Sequence, residues 1–120
     1  MSDEVADCLF CGIVAGDVPA DVVRTDEHTV AFRDINPQAP VHVLVVPRRH
    51  IVNASLVDED DAREVTALLT AAREVARAEG IAGEDRGYRL VFNVGPDALN
   101  SVPHLHLHVL GGRPFEWPPG

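Results

Sequence analysis

Three histidines, His104, His106 and His108, alternate with Leu105, Leu107 and Val109 across residues 103–110. Imidazole titrates near neutral pH, and in its neutral form it can attack an electrophile, carry a proton or bind a metal. A period of two is that of a strand, so the spacing predicts a strand over 103–110 with the three rings on one face, neighbours roughly 6.5–7 Å apart, and the aliphatic side chains turned to a core. Strands favour β-branched and aromatic residues, which makes histidine a costly choice to repeat. Two chemistries fit the row: hydrolysis by a metal chelated through His-x-His, and nucleophilic catalysis by an imidazole. A polar strand face with no special role is the third reading.

Two further groups carry chemistry. His42 interrupts the β-branched run Val41-His42-Val43-Leu44-Val45-Val46, the most strand-like stretch of the chain. Cys8 and Cys11 are spaced as C-x-x-C, which in a cytosolic protein points to metal or redox chemistry more than to a structural disulfide.

The elements that must position these groups follow from periodicity and punctuation. Leu9–Ala15 reads as a short helix stopped by Gly16. Residues 21–24, 29–35, 41–46 and 88–94 read as extended, with a proline-interrupted loop at 36–40. Val65, Leu68, Leu69, Ala72, Val75 and Ala76 recur at helical intervals within 62–79. The acidic turn 58–61 suits the positive end of that helix, so its carboxylates need no metal to explain them. So few residues separate 88–94 from the histidine strand that the two must form an antiparallel hairpin. The expected fold is α+β: a five-stranded antiparallel sheet with one long and one short helix on one side. The chain is read as one domain, 1–120, with 1–7 flexible and 111–120 an irregular tail.

With 10 basic and 19 acidic residues the net charge is −9, which argues against nucleic acid or an anionic membrane as partner. The acidic N-terminus has no secretory pattern and no apolar run is long enough to span a bilayer, so a cytoplasmic location is expected.

The run His104-Leu105-His106-Leu107-His108-Val109-Leu110 resembles the signature of the histidine triad (HIT) family of nucleotide hydrolases and transferases. The likeness extends to its Hint branch through residues 32–40, 47–50 and 87–89, Asn93, Gly111-Gly112-Arg113 and the closing Trp117-Pro118-Pro119-Gly120. The resemblance implies a HIT-like fold, a homodimer with a continuous sheet, and hydrolysis of purine nucleoside 5′-phosphoramidates without a catalytic metal. It casts His106 as the nucleophile that forms a nucleotidyl-histidine, with His108 donating to the phosphate, His42 beside them, and Ser101 on the leaving-group side. Asp34 resembles the carboxylate that accepts the ribose hydroxyls, and Asn93 and Asn100 residues near the phosphate. Leu9, Phe10, Ile13, Val18 and Phe32 resemble the purine slot, and Trp117 the tail aromatic that reaches toward the partner's site. Cys8, Cys11, His50 and His104 resemble the structural zinc site of some bacterial members; buried thiols and a redox dithiol are the other readings of the cysteines.

The loop before the triad departs from the family's Gly-Gln-Ser or Gly-Gln-Thr, reading Leu99-Asn100-Ser101. Leucine is not expected to take a positive φ cheaply. A nucleotide- or partner-binding module with residual catalysis is therefore the alternative of another class, and a dinucleoside polyphosphate hydrolase the alternative within the enzymes.

Overall fold

The computed structural model describes residues 7–120. The N-terminal segment expected to be flexible lies, except for Asp7, outside the described residues. Helix α1 (Leu9–Ala15) is capped at its start by Cys8, whose Sγ accepts the Cys11 N–H at 3.3 Å, and ends where Gly16 turns to φ 82°. Strands β1 (Val22–Thr25), β2 (Thr29–Arg33) and β3 (Val41–Pro47) follow, then α2 (Ala62–Ala78), β4 (Tyr88–Val91) and β5 (Leu107–Gly111). The sheet runs β1-β2-β3-β5-β4 and is antiparallel throughout. No helix among the described residues is long and apolar enough to cross a membrane.

The apolar run of β3 takes the centre of the sheet because both of its faces are covered. Val43 and Val45, with Ala31, Leu107 and Val109, pack against Leu68, Ala71, Ala72, Val75 and Ala76 of α2. Leu44 and Val46, with Val30 and Phe32, meet Phe10 and Cys8 on the opposite face. The expectation of both helices on one side is thus corrected: α1 and α2 sandwich the sheet. Burial of each large aliphatic contributes about 1.5–3 kcal/mol, so truncating Leu68 to alanine should cost about 2–5 kcal/mol. Asp58 and Asp61 form a reciprocal cap ahead of α2, and Arg49 pairs with the buried Asp61. The acidic cluster is indeed a helix start.

β2 stops at Arg33, short of the expected end at 35, and the last two strands also depart from expectation. β4 stops at Val91, and the chain then passes through a 3-10 turn, Pro96–Ala98. β5 begins only at Leu107, because Pro103 has no N–H to give and the His104 N–H closes a tight turn onto the Val102 carbonyl at 2.9 Å. His104 and His106 therefore precede the ladder. Leu99 takes φ 60°, ψ 30°, the left-handed conformation that leucine is expected not to take cheaply. That backbone costs a non-glycine residue about 1–2 kcal/mol. At the far end of β5 a Cβ on Gly111 would lie 2.6 Å from Ile81 Cδ1, which accounts for the glycine there.

Candidate active site and metal centre

The register of β3 on β5 opposes His42 to Leu110 and Leu44 to His108, so His42 and His108 are diagonal neighbours on the α1 face. His42 is only 6% exposed. Its Nδ1 accepts the Gln38 N–H at 3.0 Å, which places the proton of the neutral ring on Nε2. That N–H donates to His108 Nδ1, 2.9 Å away. The proton of His108 is then on Nε2, where the Asn93 side-chain amide lies at 3.4 Å. Asp34, just past β2, places one carboxylate oxygen 3.4 Å from His42 Nε2, while the other accepts the Asn36 N–H at 2.8 Å.

His106 is oriented separately. Its Nδ1 lies 2.7 Å from the His104 carbonyl, an acceptor only, so Nδ1 carries the proton and Nε2 keeps a bare lone pair. Phe10 packs edge-on against the His106 ring with centroids 5.1 Å apart, and the His108 ring lies at 5.0 Å. Burial lowers the pKa of His42 against the pull of Asp34. Burial likewise lowers that of His106, against the His104 carbonyl and Asp34. Burial, then the neighbouring His106 and His42, push His108 down to about 4. At neutral pH the three rings are uncharged, the state in which imidazole is a nucleophile and a hydrogen-bond donor at once.

A cleft of about 450 Å³ opens over these rings. Leu9, Phe10, Ile13, Val18, Phe32, Asp34, Asn93, Ser101, His106 and His108 all line it. Phe10 and Phe32 are 5% and 4% exposed, so they serve the core and the cleft wall together. His42 stands behind His108 rather than at the surface of the cleft. Asn100 and Trp117 do not line it; Trp117 is 83% exposed, and the Asn100 side-chain oxygen is buried without a partner. Residue types alone did not reveal Pro19, Ala20, Leu44, Leu99 and Val102 in the wall, nor the Gln38 amide that sets the His42 tautomer.

Among the described residues, two side-chain clusters offer donors to a metal. Cys8, Cys11, His50 and His104 bring their donor atoms within 4.8 Å of one another, joining α1 to the turn after β3 and to the approach to β5. His104 Nε2 donates to the Pro47 carbonyl at 2.9 Å, leaving the Nδ1 lone pair facing Cys8 Sγ at 3.3 Å and Cys11 Sγ at 3.4 Å. His50 Nδ1 is 3.2 Å from Cys11 Sγ. Two sulfurs and two imidazole nitrogens in a closed cluster, one ring locked in the ligating tautomer by a backbone carbonyl, are the donor set of a tetrahedral zinc site. Burial first, then the hydrogen bond and charge of Cys8, raise the Cys11 thiol to about 11. The second cluster, Asp34, His42 and His108, has its donors equally close but does not fit a metal. The Gln38 N–H already occupies His42 Nδ1, so Nε2 holds a proton where a ligand needs a lone pair. Of the readings open for the row, a metal chelated by the triad finds no support in this geometry: His104 belongs to the cysteine cluster, His108 is hydrogen-bonded to His42, and His106 is held by the His104 carbonyl.

The sequence matches the HIT domain family over residues 15–115. It is 45% identical to an uncharacterised HIT-like protein of Synechocystis sp., over 95% of this chain and 97% of that one. Among solved structures it is similar to a HIT family hydrolase from Legionella pneumophila, with 48% identity, a TM-score of 0.91, and 95% and 100% of the two chains covered. It is also similar to a zinc-bound histidine triad family protein from Mycobacterium smegmatis, with 32% identity, a TM-score of 0.77, and 92% and 78% covered.

Proposed function

The chain belongs to the HIT domain family, and on that premise we propose that it hydrolyses purine nucleoside 5′-phosphoramidates through a nucleotidyl intermediate on His106. The observation that carries this reading is the 2.7 Å hydrogen bond from His106 Nδ1 to the His104 carbonyl, which keeps Nε2 unprotonated in the cleft. The likeness to the Legionella hydrolase supports the reaction class. The purine enters the slot of Leu9, Phe10, Ile13, Val18 and Phe32, and Asp34 accepts the ribose hydroxyls through lone pairs that Asn36 and His42 leave available.

His106 Nε2 attacks the α-phosphorus as the bond from phosphorus to the amine nitrogen breaks. The amine leaves with that electron pair and takes up a proton, with the Ser101 hydroxyl on its side of the phosphorus. His108 Nε2–H and the Asn93 amide donate to the phosphoryl oxygens as charge builds on them. A water then attacks phosphorus, its proton is released, the bond to Nε2 breaks, and the nucleoside monophosphate departs with His106 restored. The covalent step divides one hard displacement into two easier ones.

Cys8, Cys11, His50 and His104 would hold zinc in a structural role, a reading the zinc-bound relative supports. Bound there, zinc supplies a cross-link from α1 to the turn after β3 and to the segment that carries His106. The chain acts as a homodimer of the Hint type: β4 is an edge strand, and Leu90, Phe92 and Val94 on and after it are exposed, as an edge that pairs with a second copy would be. Incubation of the protein with adenosine 5′-phosphoramidate tests the activity. Stoichiometric AMP and ammonia from the wild type but not from His106→Ala support it; equal rates in both reject it.

A further inference from the structure

We propose that Leu99 selects the leaving group, favouring phosphoramidates whose amine bears an apolar substituent; this rests on the phosphoramidate reading above. Leu99 is the one non-glycine residue of positive φ among the described residues, and it is 87% exposed while lining the cleft. Neither backbone preference nor burial accounts for a leucine here, since glycine would take φ 60° without strain and the side chain adds nothing to either core cluster. A strained, exposed apolar residue over reacting groups is a sign of contact with a ligand.

Its place in the fold says which part of the ligand. β2 and β4 flank the β3–β5 pair on opposite sides, so Asp34, which follows β2, and Asn93, which follows β4, reach the cleft from opposite sides of that pair, with His108 between them. α1, the residues after it, and Asp34 form the nucleoside end. Asn93, Leu99, Ser101 and Val102 come from the β4–β5 connection and form the other, with His106 and His108 between. The group that departs opposite the nucleoside therefore leaves past Leu99, whose side chain it covers while bound. An alkyl or aryl amine loses water on both surfaces; a hydroxylated amine does not.

The test compares kcat/KM for adenosine phosphoramidates of benzylamine and of ethanolamine in the wild type, Leu99→Gly and Leu99→Met. The wild type should prefer the benzylamine substrate, Leu99→Gly should reduce that ratio about tenfold, mostly through the KM of the benzylamine compound, and Leu99→Met should restore it. Leu99→Gly should melt no lower than the wild type, which a structural role for the side chain would not permit. A ratio unchanged in Leu99→Gly overturns the assignment of Leu99 while the phosphoramidate reading stands. Failure of the wild type to turn over either compound overturns both.

Discussion

His42 Nε2 lies 2.9 Å from His108 Nδ1 although the two residues are 66 positions apart, and the Gln38 N–H on the far side of the His42 ring decides which way the proton between them points. A backbone amide, which has no acid-base chemistry of its own, thereby fixes the hydrogen-bonding state of a residue facing the cleft. His108 can only present an N–H to what lies there.

Replacing His42 with alanine should lower kcat by about 10- to 100-fold with a small change in KM, because His42 acts through His108. The same variant removes a neighbour that helps hold the His108 pKa near 4, so that pKa should rise toward the ordinary histidine value. Ring nitrogen shifts across a pH titration read both the pKa and the tautomer. An unmoved His108 titration would contradict the relay.

The lowered pKa of His108 also ties stability to pH. The native ring stays neutral down to about 4, whereas in the unfolded chain it takes a proton near 6.5. Below 6.5 the unfolded state binds more protons, so the contribution is complete above that pH, declines as pH falls, and is lost by about 4. Urea unfolding of wild type and His108→Gln, compared pH by pH, isolates it. The stability difference should shift against the wild type by roughly 2 kcal/mol between pH 7 and 4, discounted from the full conversion for solvent reaching the ring. A flat difference would contradict the burial argument.

Protein purified without chelator should contain one zinc per chain by elemental analysis. Cys11→Ser should lose most of it and melt roughly 10 °C lower, while residual activity below the melting point persists because the proposed chemistry uses no zinc. The fold has two apolar clusters of its own, so it should loosen rather than collapse. Absence of zinc from the wild type would return the cysteines to the reading of buried thiols.

The pairing proposed through β4 would make Leu90, 41% exposed on that edge, sensitive to charge. Leu90→Arg should shift the protein from the mass of two chains to that of one in sedimentation equilibrium. A wild type already at the mass of one chain would contradict the dimer.

Much of this arrangement is legible in residue types, and the exceptions have physical causes. The alternation points to grouped imidazoles, of which the structure puts His106 and His108 at the cleft and His104 with Cys8, Cys11 and His50, the set that the family resemblance implies. The same alternation overstated the strand, because Pro103 and the turn at His104 act below the level of a hydrophobic pattern. The side of the sheet that α1 covers was illegible: seven residues expose Leu9 and bury Phe10, too little to define a stripe. Gln38 could not be found from its side chain, since its backbone does the work. Leu99 stands out in the sequence as a departure from glycine, but the residue type does not say that its backbone takes the positive φ at a cost.

Covalent catalysis by His106 is tested by a rapid, acid-free quench of the protein with an adenosine 5′-phosphoramidate, followed by intact mass and peptide mapping, with His106→Ala in parallel. A transient adenylyl adduct on the peptide carrying His106, formed before AMP appears and absent from the variant, is the predicted result. AMP release at the wild-type rate with no adduct, or an adduct that persists in His106→Ala, would contradict it.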